Sequence, residues 1–180
     1  MRVIAGSLKG RTLDSPTWDG LRPTSDKLRE TLFNVLAPRI EGARVLDGYA
    51  GTGAVGIEAL SRGASHVTFV EQDRRAAGLI ESNLKKCRIE SGYVIIRTSV
   101  LSAIERLRNE AAFDVILLDP PYASDFQEAL PHVGDIVKPD GVVILEHARK
   151  AEAPAAAGRL TRVREVKSGD STLTFYACQP

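Results

Sequence analysis

Short apolar runs alternate with amphipathic segments along most of the chain. Two of the runs, within residues 113–119 and 141–146, are apolar over four consecutive positions, as in strands that are covered on both faces of a sheet. Alternation of strands with helices is typical of βαβ units and a parallel sheet. We therefore predict strands at Ala43–Asp47, His66–Glu71, Tyr93–Thr98, Phe113–Asp119 and Gly141–Glu146.

The segments between these strands carry apolar residues at helical spacing. One predicted helix stops at Gly63, because glycine favours the backbone conformation that follows a helix C-terminus. Another begins at Ser99, whose side chain suits the N-cap position. The four helices predicted here are Ala54–Arg62, Arg74–Arg88, the helix that Ser99 caps, and a helix near Asp125–Val137.

The two ends of the chain depart from this pattern. Residues 160–178 predict two antiparallel strands that are joined by a turn at 167–171. The predicted elements near the start are short strands at Arg2–Ala5 and Gly10–Leu13, and a helix that is capped by Ser25 and ended by Pro38.

These patterns predict a fold class and a division of the chain. The first 40 residues are too few to fold alone, so we expect residues 1–40 to be an extension that packs on a domain of residues 41–180. The predicted fold class is α/β, a Rossmann-like arrangement with a mostly parallel sheet. A C-terminal antiparallel hairpin and the small N-terminal extension complete it.

Composition favours a single globular domain in a reducing compartment. The chain has 180 residues, of which 43% are hydrophobic and 26% are charged, as in soluble proteins. No apolar run approaches the ~20 residues of a membrane span, and the start lacks the apolar core of a secretory signal. Cys87, Cys178 and the three histidines have no metal-ligand spacing. We therefore expect a cytoplasmic protein without a metal.

Charge is nearly balanced overall but is uneven along the chain. The net charge is +1, yet residues 1–40 hold seven basic and four acidic side chains, while the rest of the chain is net −2. A basic segment on a mildly acidic body favours contact with phosphate groups. The candidates for phosphate contacts are Arg11, Arg22, Lys27 and Arg29. For Arg29, in mid-helix, bracing of the extension against the sheet is the alternative.

A glycine-rich loop follows the first predicted strand. Gly51, Gly53 and Gly56 fit the pattern G-x-G-x-x-G, and Glu71 ends the second strand. In dinucleotide-binding folds such a loop holds a pyrophosphate at a helix N-terminus. Asp47, at the mouth of the loop, opposes that anion. A cofactor with a cationic end and no phosphate, such as S-adenosylmethionine, suits the loop better, with its ribose diol on Glu71.

The fourth predicted strand ends in the sequence Asp119-Pro120-Pro121-Tyr122. Doubly wound sheets bind ligands at such carboxyl ends of strands. Asp119 and the proline carbonyl groups can accept hydrogen bonds, and the ring of Tyr122 is a flat stacking surface. This set suits the exocyclic amine of a planar base that is positioned against an electrophilic methyl group. We predict catalytic roles for Asp119, Pro120 and Tyr122.

Several segments together identify a family. They are Arg2–Gly6, Lys9–Arg11, Gly20–Thr24, Arg29–Asn34, Leu46–Asp47, Ala50–Ala54, Glu58–Ala64, the Asp119–Tyr122 sequence and Gly169–Ser171. In these segments the whole chain resembles the RsmD-type 16S ribosomal RNA guanine-N2 methyltransferases, which are class I S-adenosylmethionine-dependent enzymes. The N-terminal segments are specific to that family, whereas the sequence at residues 119–122 is shared by many enzymes that methylate amines.

The resemblance implies a class I methyltransferase fold and a 16S rRNA substrate in an assembled or partly assembled small ribosomal subunit. We infer no obligate protein partner from the sequence, and the lack of a long apolar run predicts no membrane association. The resemblance also implies that the N-terminal segments, including residues 21–24, face RNA. The positions that it assigns to S-adenosylmethionine are Asp47, Gly48, Gly51, Thr52, Gly53, Glu71, Gln72, Ser99 and Val100.

Three other functions compete with this one. An adenine-N6 methyltransferase has the same chemistry, but DNA enzymes of that kind usually carry a target-recognition domain, for which 180 residues leave no room. A nicotinamide-dependent oxidoreductase would use the glycine loop, yet the chain shows no obvious catalytic set for hydride transfer. A non-catalytic RNA-binding factor could keep the fold, but the intact loop and the intact 119–122 sequence count against it.

Overall fold

The computed structural model describes residues 1–19, 24–110, 112–121 and 123–179. Helices and strands alternate along the chain up to the fifth strand, and three further strands follow it. The helices are α1 (Asp26–Ile40), α2 (Ala54–Ser61), α3 (Arg74–Lys86), α4 (Val100–Leu107) and α5 (Ala123–Val133). The strands are β1 (Arg44–Gly48), β2 (His66–Val70), β3 (Tyr93–Ile96), β4 (Phe113–Leu118), β5 (Val137–Ala148), β6 (Ala156–Ala157), β7 (Leu160–Ser168) and β8 (Ser171–Cys178).

These strands form one eight-stranded sheet in the order β3-β2-β1-β4-β5-β8-β7-β6. The first five strands in that order pair in parallel, and the last three pair antiparallel. The predicted fold class is therefore confirmed, including the C-terminal hairpin, which β7 and β8 form. Because the parallel strands all point the same way, their carboxyl ends share one edge of the sheet.

Hydrophobic side chains cover both faces of the sheet. On one face the core includes Phe33 of α1, Ile57 of α2 and Ile80 of α3. On the other face it includes Ile104 of α4 and Phe126 of α5. Helices on both faces explain why the central strands carry continuous apolar runs rather than an alternation of apolar and polar residues.

Some predicted boundaries shift. Ser25 caps α1 as predicted, accepting a hydrogen bond from the Leu28 N–H at 3.2 Å, but the helix passes through Pro38 to the buried residue Ile40. Burial of Ile40 favours continuation over the final turn, where proline removes only one hydrogen bond. The two short strands that were predicted near the start are reduced to one bridge between Arg2 and Thr12.

The N-terminal segment is fastened to α2 by the buried carboxylate of Glu58. Its oxygens accept hydrogen bonds from the main-chain N–H groups of Ile4 at 2.8 Å and Ala5 at 3.0 Å. The Arg62 Nε donates to the same carboxylate at 2.7 Å. Glu58 therefore takes the place of a neighbouring strand for residues 4 and 5.

The prediction that Arg29 contacts RNA phosphate is wrong. The Arg29 side chain is fully buried, and its Nη2 donates to the Arg2 carbonyl oxygen and to the Asp26 carboxylate, both at 2.7 Å. Its Nη1 lies 3.9 Å from Glu58. A buried guanidinium that is held by these partners cannot reach solvent phosphate, so Arg29 has the bracing role.

No helix in the described ranges is both long enough and apolar enough to cross a membrane.

Candidate active site

Four carboxylates stand in a row along the carboxyl edge of the sheet. Glu71 follows β2, Asp47 lies near the end of β1, Asp119 follows β4 and Glu146 lies near the end of β5. These strands are neighbours in the order β2-β1-β4-β5. Burial raises the pKa of Asp47, and repulsion from Asp119 and Glu71 adds to the rise, so these three carboxylates lie close enough to influence one another.

The side chain of Asp47, which is part of β1, lies at the N-terminal end of α2. Its carboxylate accepts a hydrogen bond from the Gly56 N–H in the first turn of that helix at 2.8 Å. Burial raises the pKa of Asp47 to about 8, and the Gly56 hydrogen bond opposes this rise. A side-chain carboxylate thus stands where a dinucleotide fold would place a pyrophosphate. The site is suited to a cation rather than to a phosphate.

The loop glycines are required by backbone conformation and by packing. Gly51 and Gly53 have φ values of 56° and 76°, which side-chain-bearing residues rarely adopt. A Cβ atom at Gly56 would lie 2.2 Å from the Phe69 ring, and one at Gly48 would lie 2.8 Å from Leu118. The last glycine of the G-x-G-x-x-G pattern is therefore set by contact of α2 with β2.

Glu71 braces this loop. Its Oε2 accepts a hydrogen bond from the Gly51 N–H at 2.8 Å, and its Oε1 accepts one from the Asp73 N–H at 2.8 Å. Each carboxylate oxygen has a second lone pair, so both can still accept a hydroxyl hydrogen bond. Glu71 can thus hold a ribose diol while it fixes the loop.

The remaining residues assigned to the cofactor divide by exposure. Gln72 is exposed and follows β2. Ser99 is half-buried and directly precedes α4. The Ser99 hydroxyl caps α4 by accepting from the Ser102 N–H at 3.3 Å. The Val100 side chain lies in the core beneath α4, so only its main chain can face a ligand. Thr52 is buried, and its carbonyl oxygen accepts from Asn83.

Asp119 has a looser environment than Asp47. The Thr24 hydroxyl donates to its Oδ2 at 3.4 Å, and its own N–H donates to the Gly48 carbonyl oxygen at 3.5 Å. Burial raises the pKa of Asp119 to about 6, so the carboxyl is mostly ionised at neutral pH. Pro120 follows it and is half-buried, whereas Tyr122 lies outside the described residues.

Glu146 is the neighbour of Asp119 that sequence reasoning missed. The Ser171 hydroxyl of β8 donates to Glu146 at 3.1 Å. Burial, with added repulsion from Asp119, raises the pKa of Glu146 to about 8. A signal was present, because Glu146 ends an apolar run just as Asp119 does. The contact of Thr24 with Asp119 had no comparable local signal.

The residues that were predicted to contact phosphate are dispersed. Lys27 is exposed in the first turn of α1, three residues after Thr24 in the sequence. Arg11 is exposed. Its charge opposes the rise that burial causes in the pKa of the Cys87 thiol. Cys87 is the C-cap of α3, at the end of that helix away from the carboxylate row. Arg22 lies outside the described residues.

Known proteins match the chain over its length. The family model described as Conserved hypothetical protein 95 matches residues 1–177. Ribosomal RNA small subunit methyltransferase D of Haemophilus influenzae is 41% identical over 151 residues, which are 81% of this chain and 78% of that protein. YlbH of Bacillus subtilis is 38% identical over 180 residues, covering 98% of both proteins. The solved structure of yhhF from Escherichia coli superposes with a TM-score of 0.86 at 28% identity, covering 99% of this chain and 98% of that chain.

Proposed function

We propose that this protein transfers the methyl group of S-adenosylmethionine to the N2 amine of a guanine in small-subunit rRNA. The chain belongs to the family described as Conserved hypothetical protein 95. A methyltransferase that acts on RNA agrees with the name of the Haemophilus influenzae relative. The guanine N2 target and a substrate in the form of an assembled or partly assembled subunit are the finer parts of the proposal.

The position of Asp47 carries the cofactor assignment. A buried carboxylate at the N-terminus of α2, held by the Gly56 N–H at 2.8 Å, suits the ammonium end of S-adenosylmethionine and opposes a pyrophosphate. Glu71, with free lone pairs on both oxygens, suits the ribose diol. The same observation disfavours the nicotinamide-dependent oxidoreductase. The cofactor supplies an electrophilic methyl group on a positively charged sulfur.

The sequence at residues 119–122 would prepare the amine. The ionised Asp119 carboxylate and the Pro120 carbonyl oxygen accept hydrogen bonds from the N2 hydrogens, which directs the nitrogen lone pair toward β1 and the cofactor. The ring of Tyr122 stacks on the base. Orientation of two bound reactants removes much of the entropic barrier to their reaction.

The transfer then balances without a further reactant. The N2 lone pair forms the new N–C bond, and the C–S bond breaks with its electron pair left on sulfur. The positive charge moves from sulfur to N2, which loses a proton to the Asp119 carboxylate and from there to water. A pKa of about 6 for Asp119 suits this brief role.

We assign the contacts with RNA phosphates to basic residues of the N-terminal extension. Lys27 in the first turn of α1, together with Arg11 and Arg22, forms the proposed set. Arg29 is excluded by its burial.

The decisive experiment uses labelled S-adenosylmethionine. Small subunits that lack the modification are incubated with the protein, and the rRNA is digested to nucleosides for chromatography and mass spectrometry. We expect label in N2-methylguanosine, with a higher yield from subunits than from naked rRNA. Label in N6-methyladenosine would favour the adenine enzyme, and tight binding of NADH would contradict the cofactor assignment.

A pair of Tyr122 variants tests the stacking role. Tyr122→Ala is expected to weaken transition-state binding by about 1–3 kcal/mol, the contribution of one stacked base. Tyr122→Phe keeps the ring face and is expected to retain most of the activity. Equal damage by both variants, measured as kcat/KM for methylation, would show that the hydroxyl rather than the ring matters.

A further inference from the structure

Glu146 and Asp119 present two carboxylates side by side on adjacent strands. Leu118 of β4 pairs with Leu145 of β5 in parallel register, and each acidic residue directly follows its leucine. Both leucines lie in the core under α4 and α5. Because side chains alternate across a strand, Asp119 and Glu146 both point to the opposite face. The spacing of neighbouring strands, about 4.8 Å, separates their main chains.

Among the residues that the structure describes, no basic side chain neutralises either carboxylate. Within the described parts of the chain, no lysine or arginine forms an ion pair with either of them. The described hydrogen bonds to their oxygens come from the hydroxyls of Thr24 and Ser171, at 3.4 and 3.1 Å. Two partly buried carboxylates repel each other when both are ionised, so burial and Asp119 raise the pKa of Glu146 and the free protein relieves the repulsion by holding a proton. A ligand with two adjacent N–H donors would favour the ionised form of both carboxylates.

Guanine has such a pair of donors. Its N2 amine and its N1–H project from the same edge of the ring, whereas adenine has an acceptor at N1 beside its N6 amine. The strand order places the cofactor carboxylate on β1, Asp119 just after β4 and Glu146 on β5. Of the two ring nitrogens beside the N2 amine, only N1 carries a hydrogen, so a base whose N2 meets Asp119 gains a hydrogen bond by turning N1 rather than N3 toward Glu146.

We infer that Glu146 accepts the N1–H of the target guanine and thereby selects guanine against adenine. Ser171 is the positioning residue that holds the Glu146 carboxylate from β8. This inference rests on the proposed function, since it assigns a partner to the atom next to the methylated amine.

The test replaces one atom group on each side of the proposed contact. Glu146→Gln keeps the shape and can still accept from Ser171, but it presents an N–H where the carboxylate presented an acceptor. On the RNA side, 2-aminopurine keeps the N2 amine but has an acceptor at N1 and no oxygen at C6. The change in preference between the wild type and Glu146→Gln isolates the N1 contact, because both proteins meet the same two bases. The 2-aminopurine is placed by ligation at the nucleotide that the wild-type protein methylates, and the rRNA is assembled into small subunits.

We expect the wild-type protein to methylate the guanine substrate about 10- to 150-fold faster than the 2-aminopurine substrate, the range for loss of a hydrogen bond to a charged group. Glu146→Gln is expected to lose activity on guanine by a similar factor. Because its amide can donate to N1, it should methylate 2-aminopurine at least as fast as the wild type, so the preference collapses. Glu152→Gln, an exposed glutamate after β5, serves as the matched control and should keep the wild-type preference.

Two results would overturn the inference. One is wild-type methylation of both substrates at equal rates, which needs no variant. The other is a Glu146→Gln protein that binds cofactor normally and loses activity on both substrates by one factor. Ser171→Ala gives a milder version of the same readout if the glutamine variant is unstable. Failure of the wild type to form any N2-methylguanosine would instead refute the proposed function.

Discussion

The two halves of the carboxylate row are built differently. In the cofactor half, residues 47–56 and Glu71, main-chain N–H groups donate to Asp47 and Glu71 at 2.8 Å. In the acceptor half, Asp119 and Glu146, the donors are side-chain hydroxyls at 3.4 and 3.1 Å. Main-chain donors are fixed by the sheet and by α2, whereas hydroxyls rotate.

The cofactor half is therefore preorganised by the backbone, whereas the acceptor half needs a ligand to complete its hydrogen bonds. The cofactor half already satisfies its carboxylates through the backbone, so the loop keeps its shape before anything binds. The acceptor half leaves acceptor capacity for the amine and ring N–H of a base. Variants of the two halves should therefore fail in different assays.

The largest effect is expected from Asp119→Ala. Removal of an acceptor aimed at the reacting amine should lower kcat by about 10²- to 10³-fold, as for other preorganised catalytic hydrogen bonds. Cofactor affinity by calorimetry and the melting temperature should stay close to those of the wild type. Asp140→Ala, at an exposed aspartate near the start of β5 and thus away from the carboxyl edge, is the control. A parallel loss of cofactor binding would mean that the two halves are not separable.

Glu71 should show the opposite pattern. Glu71→Ala removes the acceptors for Gly51, for Asp73 and for the ribose, and should weaken S-adenosylmethionine binding by about 1.5–3 kcal/mol. Glu71→Gln keeps one acceptor oxygen and should lose less. Both are measured by calorimetry with cofactor or its demethylated product. An unchanged dissociation constant for Glu71→Ala would remove Glu71 from the cofactor half.

The carboxylate row should make the free protein less stable as the pH rises. Folding raises the pKa of Asp47 and Glu146 to about 8 and that of Asp119 to about 6, above the ~4 of unfolded carboxyls. The folded protein therefore holds extra protons between about pH 4 and pH 8, and the stability that they contribute is lost as the pH rises through that window. The melting temperature should fall by at least about 2–4 °C from pH 5 to pH 8.5, a change of 1 kcal/mol or more.

Asp47→Asn sharpens this prediction, because the amide can still accept from Gly56 but does not titrate. Its melting temperature should vary less with pH than that of the wild type. Bound S-adenosylmethionine should also flatten the wild-type profile, since its cation favours the ionised form of Asp47. A wild-type profile that is flat from pH 5 to pH 8.5 would contradict the raised pKa values.

The smallest effect is expected outside the row, at the phosphate contacts. Each contact with single-stranded RNA contributes about 0.7 to the slope of log affinity against log salt concentration. Lys27→Ala, and the double change Arg11→Ala with Arg22→Ala, should flatten that slope without weakening cofactor binding. Glu30→Ala on the exposed side of α1 is the control. Equal loss of cofactor affinity would show that these side chains are structural.

Local signals in the sequence account for most of the fold and for half of the site. The caps at Ser25 and Ser99 and the glycine at Gly63 depend on neighbouring residues alone, and they lie where the pattern predicts them. Asp119 and Glu71 end predicted strands, and each lies one residue beyond the observed strand. The burial of Arg29 and the contact between Thr24 and Asp119 arise from packing of distant segments, which no local pattern encodes.

The hydrogen bonds from Ile4 and Ala5 to Glu58 can form only late in the synthesis of this part of the chain. Ile4 donates to a side chain 54 residues further along the chain, so it leaves the ribosome before its partner exists. At about 5–20 residues per second, the delay is roughly 3–11 s. Throughout that time Val3 and Leu13, buried in the finished protein, lack their docking surface. The nascent segment therefore exposes these two apolar side chains to solvent until α2 emerges.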